Sequence, residues 1–257
     1  MPEINFHKYQ GTGNDFIMID DRMNGFDLSR IDLISRWCDR KFGIGADGVI
    51  LIRDHPDYDF EMVYFNPDGT QSLCGNGSRC AVRFAESLGI VSASCKFMAV
   101  DGLHEGQIQG EQIRIKMHNV DTLLKTEEDY FVDTGSPHYV TLVKELANVD
   151  VVKEGRTIRN NPRFLPGGTN VNFVQPKNGQ VLVRTYERGV EDETLSCGTG
   201  VTAVALVMAA QGFESPVNIS AAGGDLQVSF IKTPDKGYTE VYLSGPAEKV
   251  FEGIIQY

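Results

Sequence analysis

The chain has 257 residues, 41% hydrophobic and 23% charged, the make-up of a folded globular protein long enough for two domains or one large one. Its 24 Lys and Arg against 35 Asp and Glu leave a net charge of -11, which repels phosphate backbones and anionic membrane surfaces, so nucleic acid is not an expected partner. The longest apolar run, residues 201–210, is well short of the roughly 20 residues that cross a bilayer, so no membrane span is expected.

Residues 1–7 lack the basic start and apolar stretch of a signal peptide, and the expectation is a cytoplasmic chain with reduced thiols. Five cysteines, Cys38, Cys74, Cys80, Cys95 and Cys197, are an odd number that suits free thiols better than a disulfide framework. Residues 31–40 predict a helix and 49–52 a strand. Between them residues 43–48 fit G-x-G-x-x-G, but a dinucleotide fingerprint needs the strand first and the helix second. A strand over 60–65 leads into the turn Asn66-Pro67-Asp68-Gly69 and then Cys74-Gly75-Asn76-Gly77. Ala81, Phe84, Ala85 and Leu88 follow with helical spacing, and Gly89 ends the helix. Asp101-Gly102 signals a hairpin turn, and residues 112–117 alternate as a half-buried strand does.

The second half repeats this order. An alternating strand over 181–186 precedes Glu187-Arg188-Gly189 and Cys197-Gly198-Thr199-Gly200; residues 201–210 are apolar on every side except Thr202, which predicts a helix buried at the centre of its domain. Each Cys-Gly-x-Gly is followed by a glycine 15 positions on (89 − 74 and 212 − 197), and the turn glycines Gly102 and Gly224 fall 28 and 27 positions past their cysteines. A further strand covers 226–230. The fold expected is therefore α+β, two pseudosymmetric domains each with an antiparallel or mixed β-sheet wrapped around a central helix. Their expected bounds are 1–118 and 119–246, with the tail 247–257 rejoining the first.

The chemistry is expected at the mouths of the two central helices. A thiol there meets unpaired backbone N–H groups and the positive end of the helix dipole, which favour the thiolate. The flanking glycines allow close approach, and the N–H groups suit a carboxylate. Two such sites in a duplicated chain imply a cleft with a thiol on either side of one bound molecule. Inverting a carbon stereocentre needs that arrangement, a base on one face and an acid on the other. The spacing thus predicts a cofactor-independent racemase or epimerase acting on a small molecule. Arg188 suits a carboxylate through its forked donors, the asparagines suit an amino-acid head group, and Glu187 suits an ammonium. Cys38, Cys80 and Cys95 have no such setting and are read as core residues. No cysteine pair has zinc-finger spacing, and the five histidines, His7, His55, His104, His118 and His138, are scattered, so no metal site is expected.

Gly11-Thr12-Gly13-Asn14-Asp15-Phe16, residues 43–48, Phe65-Asn66-Pro67-Asp68-Gly69 before Cys74-Gly75-Asn76-Gly77, and Glu187-Arg188-Gly189 before Cys197-Gly198-Thr199-Gly200 together resemble the diaminopimelate epimerase family, in the family's order over essentially the whole chain. The resemblance implies interconversion of LL- and meso-diaminopimelate for lysine and peptidoglycan synthesis, in the cytoplasm, without pyridoxal phosphate or metal, by a homodimer with that family's fold. It implies Cys74 and Cys197 as the catalytic pair and Asn14, Asn66, Gly75, Asn76, Asn170, Glu187, Arg188, Gly198 and Thr199 as substrate-binding positions. His138 and Glu187 match residues that tune the thiols. Two positions depart from the family: many members carry glutamine at Gly48 and asparagine at Ser136. Asn172 competes with Asn170 for one match, and Asn170 is chosen. The alternatives are another two-thiol racemase of this fold, acting on proline, hydroxyproline or a basic amino acid, and, in a different class, a non-catalytic thiol-redox or ligand-binding protein.

Overall fold

The structure, a computed structural model, describes residues 3–126 and 129–256; the first two residues of the N-terminal segment and the last residue of the expected C-terminal tail lie outside them. Contacts divide the chain into two units, Met1–Ile115 with Gly245–Tyr257, and Lys116–Ser244. In chain order the first contains β1 (Glu3–Gly11), β2 (Asn14–Asp20), α1 (Ile31–Cys38), β3 (Gly48–Arg53), β4 (Phe60–Phe65), α2 (Gly75–Ser87), β5 (Ser94–Ala99), β6 (Gly102–Gln109) and β7 (Gln112–Lys116). The second continues with β8 (Leu124–Lys125), β9 (Asp129–Asp133), β10 (Pro137–Leu142), α3 (Val151–Arg159), β11 (Asn170–Lys177), β12 (Gln180–Glu187), β13 (Asp192–Thr194), α4 (Gly198–Ala210), β14 (Val217–Ala221), β15 (Gly224–Thr233) and β16 (Gly237–Pro246). The last strand, β17 (Glu248–Gln256), returns to the first unit and pairs antiparallel with β1 from Glu3↔Gln256 to Gln10↔Glu248. The divisions at residues 115 and 244 fall inside β7 and β16, not at the expected 118 and 246, because strands run through them and no turn or change of composition marks the point.

In the first unit β1 through β7 pair in chain order, with senses antiparallel, parallel, antiparallel, parallel, antiparallel, antiparallel. In the second, β9, β10, β11, β12, β14, β15 and β16 pair with the same six senses in the same order. The helices fall at matching places: α1 and α3 follow the second strand of each series, α2 and α4 the fourth. The duplication is thus one of topology, carried far beyond the repeated cysteine motif.

Why the sheets are buried on both faces follows from period two. Ile17, Ile19, Val49, Leu51, Val63 and Phe65 turn one way and pack against Leu33, Ile34 and Trp37 of α1. Their neighbours Phe16, Met18, Ile50, Ile52 and Met62 are equally buried and turn toward α2, where Gly77 lies against Ile50 and Phe16. The run 49–52 therefore reads as continuously apolar, as a strand covered on both faces does. In the second unit Tyr139, Val171, Phe173 and Tyr186 pack with Val151 of α3 on the outer face, while α4 fills the inner one, buried from Gly198 to Ala209 apart from Thr199.

Both central helices end alike. Gly89 (φ +73°) and Gly212 (φ +99°) adopt the left-handed conformation. Gly89 N–H bonds Glu86 O and Ile90 N–H bonds Ala85 O; Gly212 and Phe213 repeat this with Ala209 and Met208, the paired bonds of a Schellman motif. The helix expected over 31–40 stops at Cys38, since Asp39 is extended (ψ 123°). Helix α3 left no apolar stripe to read, because only Val151 and Gly155 of it are buried. At Gly155 two effects compete. Alanine favours a helix interior by about 1 kcal/mol, but a Cβ there would press on the ring carbons of the fully buried Tyr186, and over-packing costs about 1–3 kcal/mol. Gly155→Ala is expected to lower the urea midpoint; an unchanged or raised midpoint in equilibrium unfolding would show that the helix term wins.

Candidate active site

Cys74 is the N-cap of α2, extended at φ -130° and ψ 114°, and its Sγ accepts the Gly77 N–H at 3.4 Å. Asn76, in the first turn, is 2% exposed; its Nδ2 donates to Asn14 Oδ1 at 2.6 Å, and its Oδ1 accepts from Thr12 Oγ1 at 3.4 Å. Asn14 Nδ2 in turn donates to Asp47 Oδ2 at 2.9 Å. Arg40 bridges Asp47 and Asp15, each at 2.7 Å. Burial alone would raise the Asp15 carboxyl, but hydrogen bonds from Arg40 and Lys8 outweigh it and hold the group at about 2, so it stays ionised and the brace stays closed. Gly75 opens the helix beside the cysteine. Asn66 stands apart in its bonding: its Nδ2 donates within its own loop, to Thr70 Oγ1 at 3.0 Å and Ser72 Oγ at 3.1 Å.

Deeper on the same helix lies Arg79, fully buried, its Nη2 donating to Thr12 Oγ1 at 2.8 Å and its Nε to Pro246 O at 3.3 Å. Burial lowers this guanidinium to about 10, with the Cys80 and Cys74 sulfurs opposing. Cys38, Cys80 and Cys95 are pushed up to about 12 by burial, which leaves all three as inert thiols, the core role read for them.

Cys197 is the N-cap of α4 with nearly the same backbone, φ -125° and ψ 111°. Its Sγ lies 3.5 Å from Thr199 Oγ1. Thr199 Oγ1 is 3.0 Å from Nε2 of His138, and Nδ1 of His138 is 3.1 Å from Nδ2 of Asn172. Asn172 also donates to Tyr139 O at 3.0 Å and accepts from Thr185 Oγ1 at 3.0 Å. Burial, with a smaller contribution from the Arg188 charge, lowers His138 to about 3. A second group lies along β10 and β11: Asn170 Nδ2 donates to Ser136 Oγ at 2.9 Å, Asn170 Oδ1 accepts the Arg188 N–H at 2.9 Å, and Arg188 Nη2 reaches Ser136 Oγ at 3.4 Å. Glu187 accepts from Thr194 Oγ1 at 2.9 Å; burial raises its carboxyl, with the Thr194 bond opposing.

Within each unit, then, the expected positions gather at one helix mouth: Asn14, Gly75 and Asn76 with Cys74, and Gly198, Thr199 and His138 with Cys197. Asn170, Glu187 and Arg188 follow at adjoining strand ends. Sequence reasoning missed Thr12, Asp47 and Thr185, and set Asn172 aside in favour of Asn170. Asn172 was within reach, since it lies two residues from Asn170 on one face of a strand. The second glycine of each motif also has a different cause from the ligand approach expected of it. A Cβ on Gly200 would sit 2.6 Å from Asn172 Oδ1 and 3.3 Å from His138 Cε1, and one on Gly77 3.1 Å from Ile50 Cδ1; these glycines let the helix close on its own sheet. Among the described residues no group of three His, Cys, Asp or Glu is placed to hold a metal ion, and no helix is long and apolar enough to cross a membrane.

A family model described as diaminopimelate epimerase matches residues 6–123 and 130–250. A diaminopimelate epimerase of Flavobacterium psychrophilum is 48% identical over 257 residues, covering 98% of this chain and 100% of its own. The enzyme of that name from Aquifex aeolicus is 41% identical, covering 97% of each. The chain belongs to the diaminopimelate epimerase family. A phenazine biosynthesis protein of the PhzF family from Bacillus anthracis, 14% identical, shares the diaminopimelate epimerase-like fold over 100% of both chains with a TM-score of 0.80.

Both departures from the diaminopimelate epimerase pattern have local explanations. A Cβ on Gly48 would meet the Tyr64 ring and lie 2.6 Å from Phe65 O, so Tyr64 fills the space a longer side chain would take. Ser136 offers one hydroxyl shared by Asn170 and Arg188.

The burial of His138 carries a pH dependence. An unfolded histidine binds its proton near pH 6.5, whereas the folded one refuses it until about 3. The unfolded state therefore binds more protons between these values, and stability falls as pH drops through that window, by up to about 1.4 kcal/mol per unit. Urea midpoints of the parent should decline from about pH 6.5 downward, and less steeply in His138→Phe. Equal slopes in the two proteins would contradict the assignment.

Proposed function

We propose that the chain interconverts LL- and meso-diaminopimelate, with Cys74 and Cys197 facing opposite sides of one α-carbon, one as thiolate base and the other as thiol acid. The observation that carries this reading is the twin placement: each unit presents a cysteine as N-cap of its buried central helix, at the same point of a duplicated topology. Reversal of direction exchanges the two protonation states and nothing else. In this reading residues 1–118 with the tail and 119–246 are the two halves of the catalytic body. The backbone N–H groups of Gly75 and Asn76, and of Gly198 and Thr199, hold the α-carboxylate and the charge that grows on it as the proton leaves. Arg188 takes the distal carboxylate. Asn14, Asn66 and Asn170 orient the amino-acid groups, and the half-buried Glu187 faces an ammonium, which suits a carboxylate that has lost much of its water. The reaction proposed uses neither pyridoxal phosphate nor metal, and runs in the cytoplasm.

Incubation of the reduced protein with LL-diaminopimelate in D2O is expected to place deuterium at the α-carbon as the meso form accumulates. Cys74→Ala and Cys197→Ala should each lower kcat by about 10²–10⁴-fold, the usual worth of a positioned acid or base. Folded protein that exchanges no substrate proton would end the proposal, and exchange restricted to proline, hydroxyproline or a basic amino acid would redirect it.

We further propose that the enzyme is a homodimer joined through β17. This strand leaves Val250, Phe251 and Ile254 exposed, at 57%, 46% and 63%, and it borders the first unit's sheet beyond β1; exposed apolar side chains on an edge strand invite a partner. Sedimentation should give twice the chain mass for the parent and a monomer for Val250→Lys/Ile254→Lys. A monomeric parent would exclude the dimer.

A further inference from the structure

The register of the two sheets allows the halves to be compared residue by residue. Phe16 pairs with Gly48 in the first unit as His138 pairs with Asn170 in the second, and Gly77 and Gly200 lie against the corresponding side chains. His138 therefore occupies the place of Phe16, Asn172 that of Ile50, and Thr185 that of Tyr64. The fold is satisfied by apolar residues at the first two places. In the second unit they are a fully buried imidazole and amide, which gain nothing over Phe and Ile as packing and must be fully hydrogen-bonded to be tolerated at all.

The bonds present fix the protons of the amide and of the imidazole. Tyr139 O can only accept, so the Asn172 atom 3.0 Å from it is the amide nitrogen. The same nitrogen donates to Nδ1 of His138, which must then be bare. A neutral imidazole with a bare Nδ1 carries its proton on Nε2, and this proton is donated to Thr199 Oγ1. The Thr199 hydroxyl, with one lone pair taken up by that bond, keeps its own proton to offer to Cys197 Sγ at 3.5 Å. A thiolate accepts it strongly and a thiol only weakly.

We infer that Asn172 is a positioning residue for the reaction at Cys197: it locks His138 as the Nε2–H tautomer, and His138 in turn aims the Thr199 hydroxyl at the sulfur and favours its anionic form. His138 then works as a fixed neutral donor and never as a base. Thr185 completes the device by holding Asn172 Oδ1 at 3.0 Å. This deepens the proposed role of Cys197 and rests on it for its kinetic consequence, while the tautomer itself is independent of turnover.

The test has two arms. In protein labelled with ¹⁵N-histidine, the imidazole that vanishes in His138→Phe should show a protonated Nε2 and a bare Nδ1 at neutral pH; a proton on Nδ1 would overturn the inference. Asn172→Asp, whose carboxylate can only accept from the ring, should move that proton to Nδ1. Kinetically, Asn172→Ala and Thr199→Val should each lower kcat by about 10–100-fold, the worth of a hydrogen bond to a charged group, with KM little changed. Because both act through one bond to sulfur, the double variant should be no slower than Thr199→Val alone; losses that multiply would overturn the relay. Should the Asn172 variants fail to fold, Thr185→Val loosens the same amide and replaces them in the cycle. An inactive parent with the stated tautomer would overturn the proposed reaction and not the tautomer assignment.

Discussion

The constraint on which the structure rests is a helix enclosed by its own sheet. A helix buried along nearly its whole length, as α4 is, keeps its internal hydrogen bonds, but its first turn must still find acceptors for N–H groups that no helical carbonyl reaches. In each unit that turn opens at a cysteine and two glycines. The N-cap position gives the sulfur an extended backbone and sets it beside the N–H groups of the first turn, and the glycines let the turn press against the strands below. The same geometry that ends the apolar core thus creates a pocket of oriented donors, and an anion is the species it best accommodates.

Duplication of this device does not make its two copies equal. Around α2 the helix start rests on Phe16 and Ile50, and its polar contacts run outward through Asn76, Asn14 and Asp47 to Arg40. Around α4 the equivalent floor is His138 and Asn172, wired to Thr199. Five residues past each cysteine stand Arg79 and Thr202, both fully buried. One helix mouth therefore carries a buried cation behind it and the other a chain of neutral dipoles.

The sequence made the frame legible where one physical rule acted alone. Helical spacing at Ala81, Phe84, Ala85 and Leu88, the unbroken apolar run 201–210 and the turn glycines each reflect a single cause, and the elements stand there. Strand β17 was foreseen only as a tail rejoining the first domain, since its exposed apolar residues carry no inward pattern. Helix α3 escaped because its packing depends on Gly155 and Tyr186, partners 31 positions apart (186 − 155) whose contact no local pattern announces. At the site, the motif residues were legible as types, but their bonding was not. The locking of His138 by Asn172 depends on parallel pairing between β10 and β11, which brings together residues 34 positions apart. Gly48 shows the same limit, since the ring that fills its space comes from β4.

The inequality of the two mouths suits the reaction proposed. Before and after each turnover one sulfur must be charged and the other protonated, so the resting pair holds a single proton between them. Two thiols in identical surroundings would divide that proton evenly, leaving half the molecules poised for each direction. Different neighbours bias the division: the Thr199 hydroxyl at Cys197, a backbone N–H and a buried guanidinium near Cys74. A bias of about 1.4 kcal/mol shifts the ratio tenfold, within the reach of one such hydrogen bond. A fold built by doubling one unit can thus break its own symmetry at a few buried positions, as it does at His138 and Asn172, which stand where the first unit has Phe16 and Ile50.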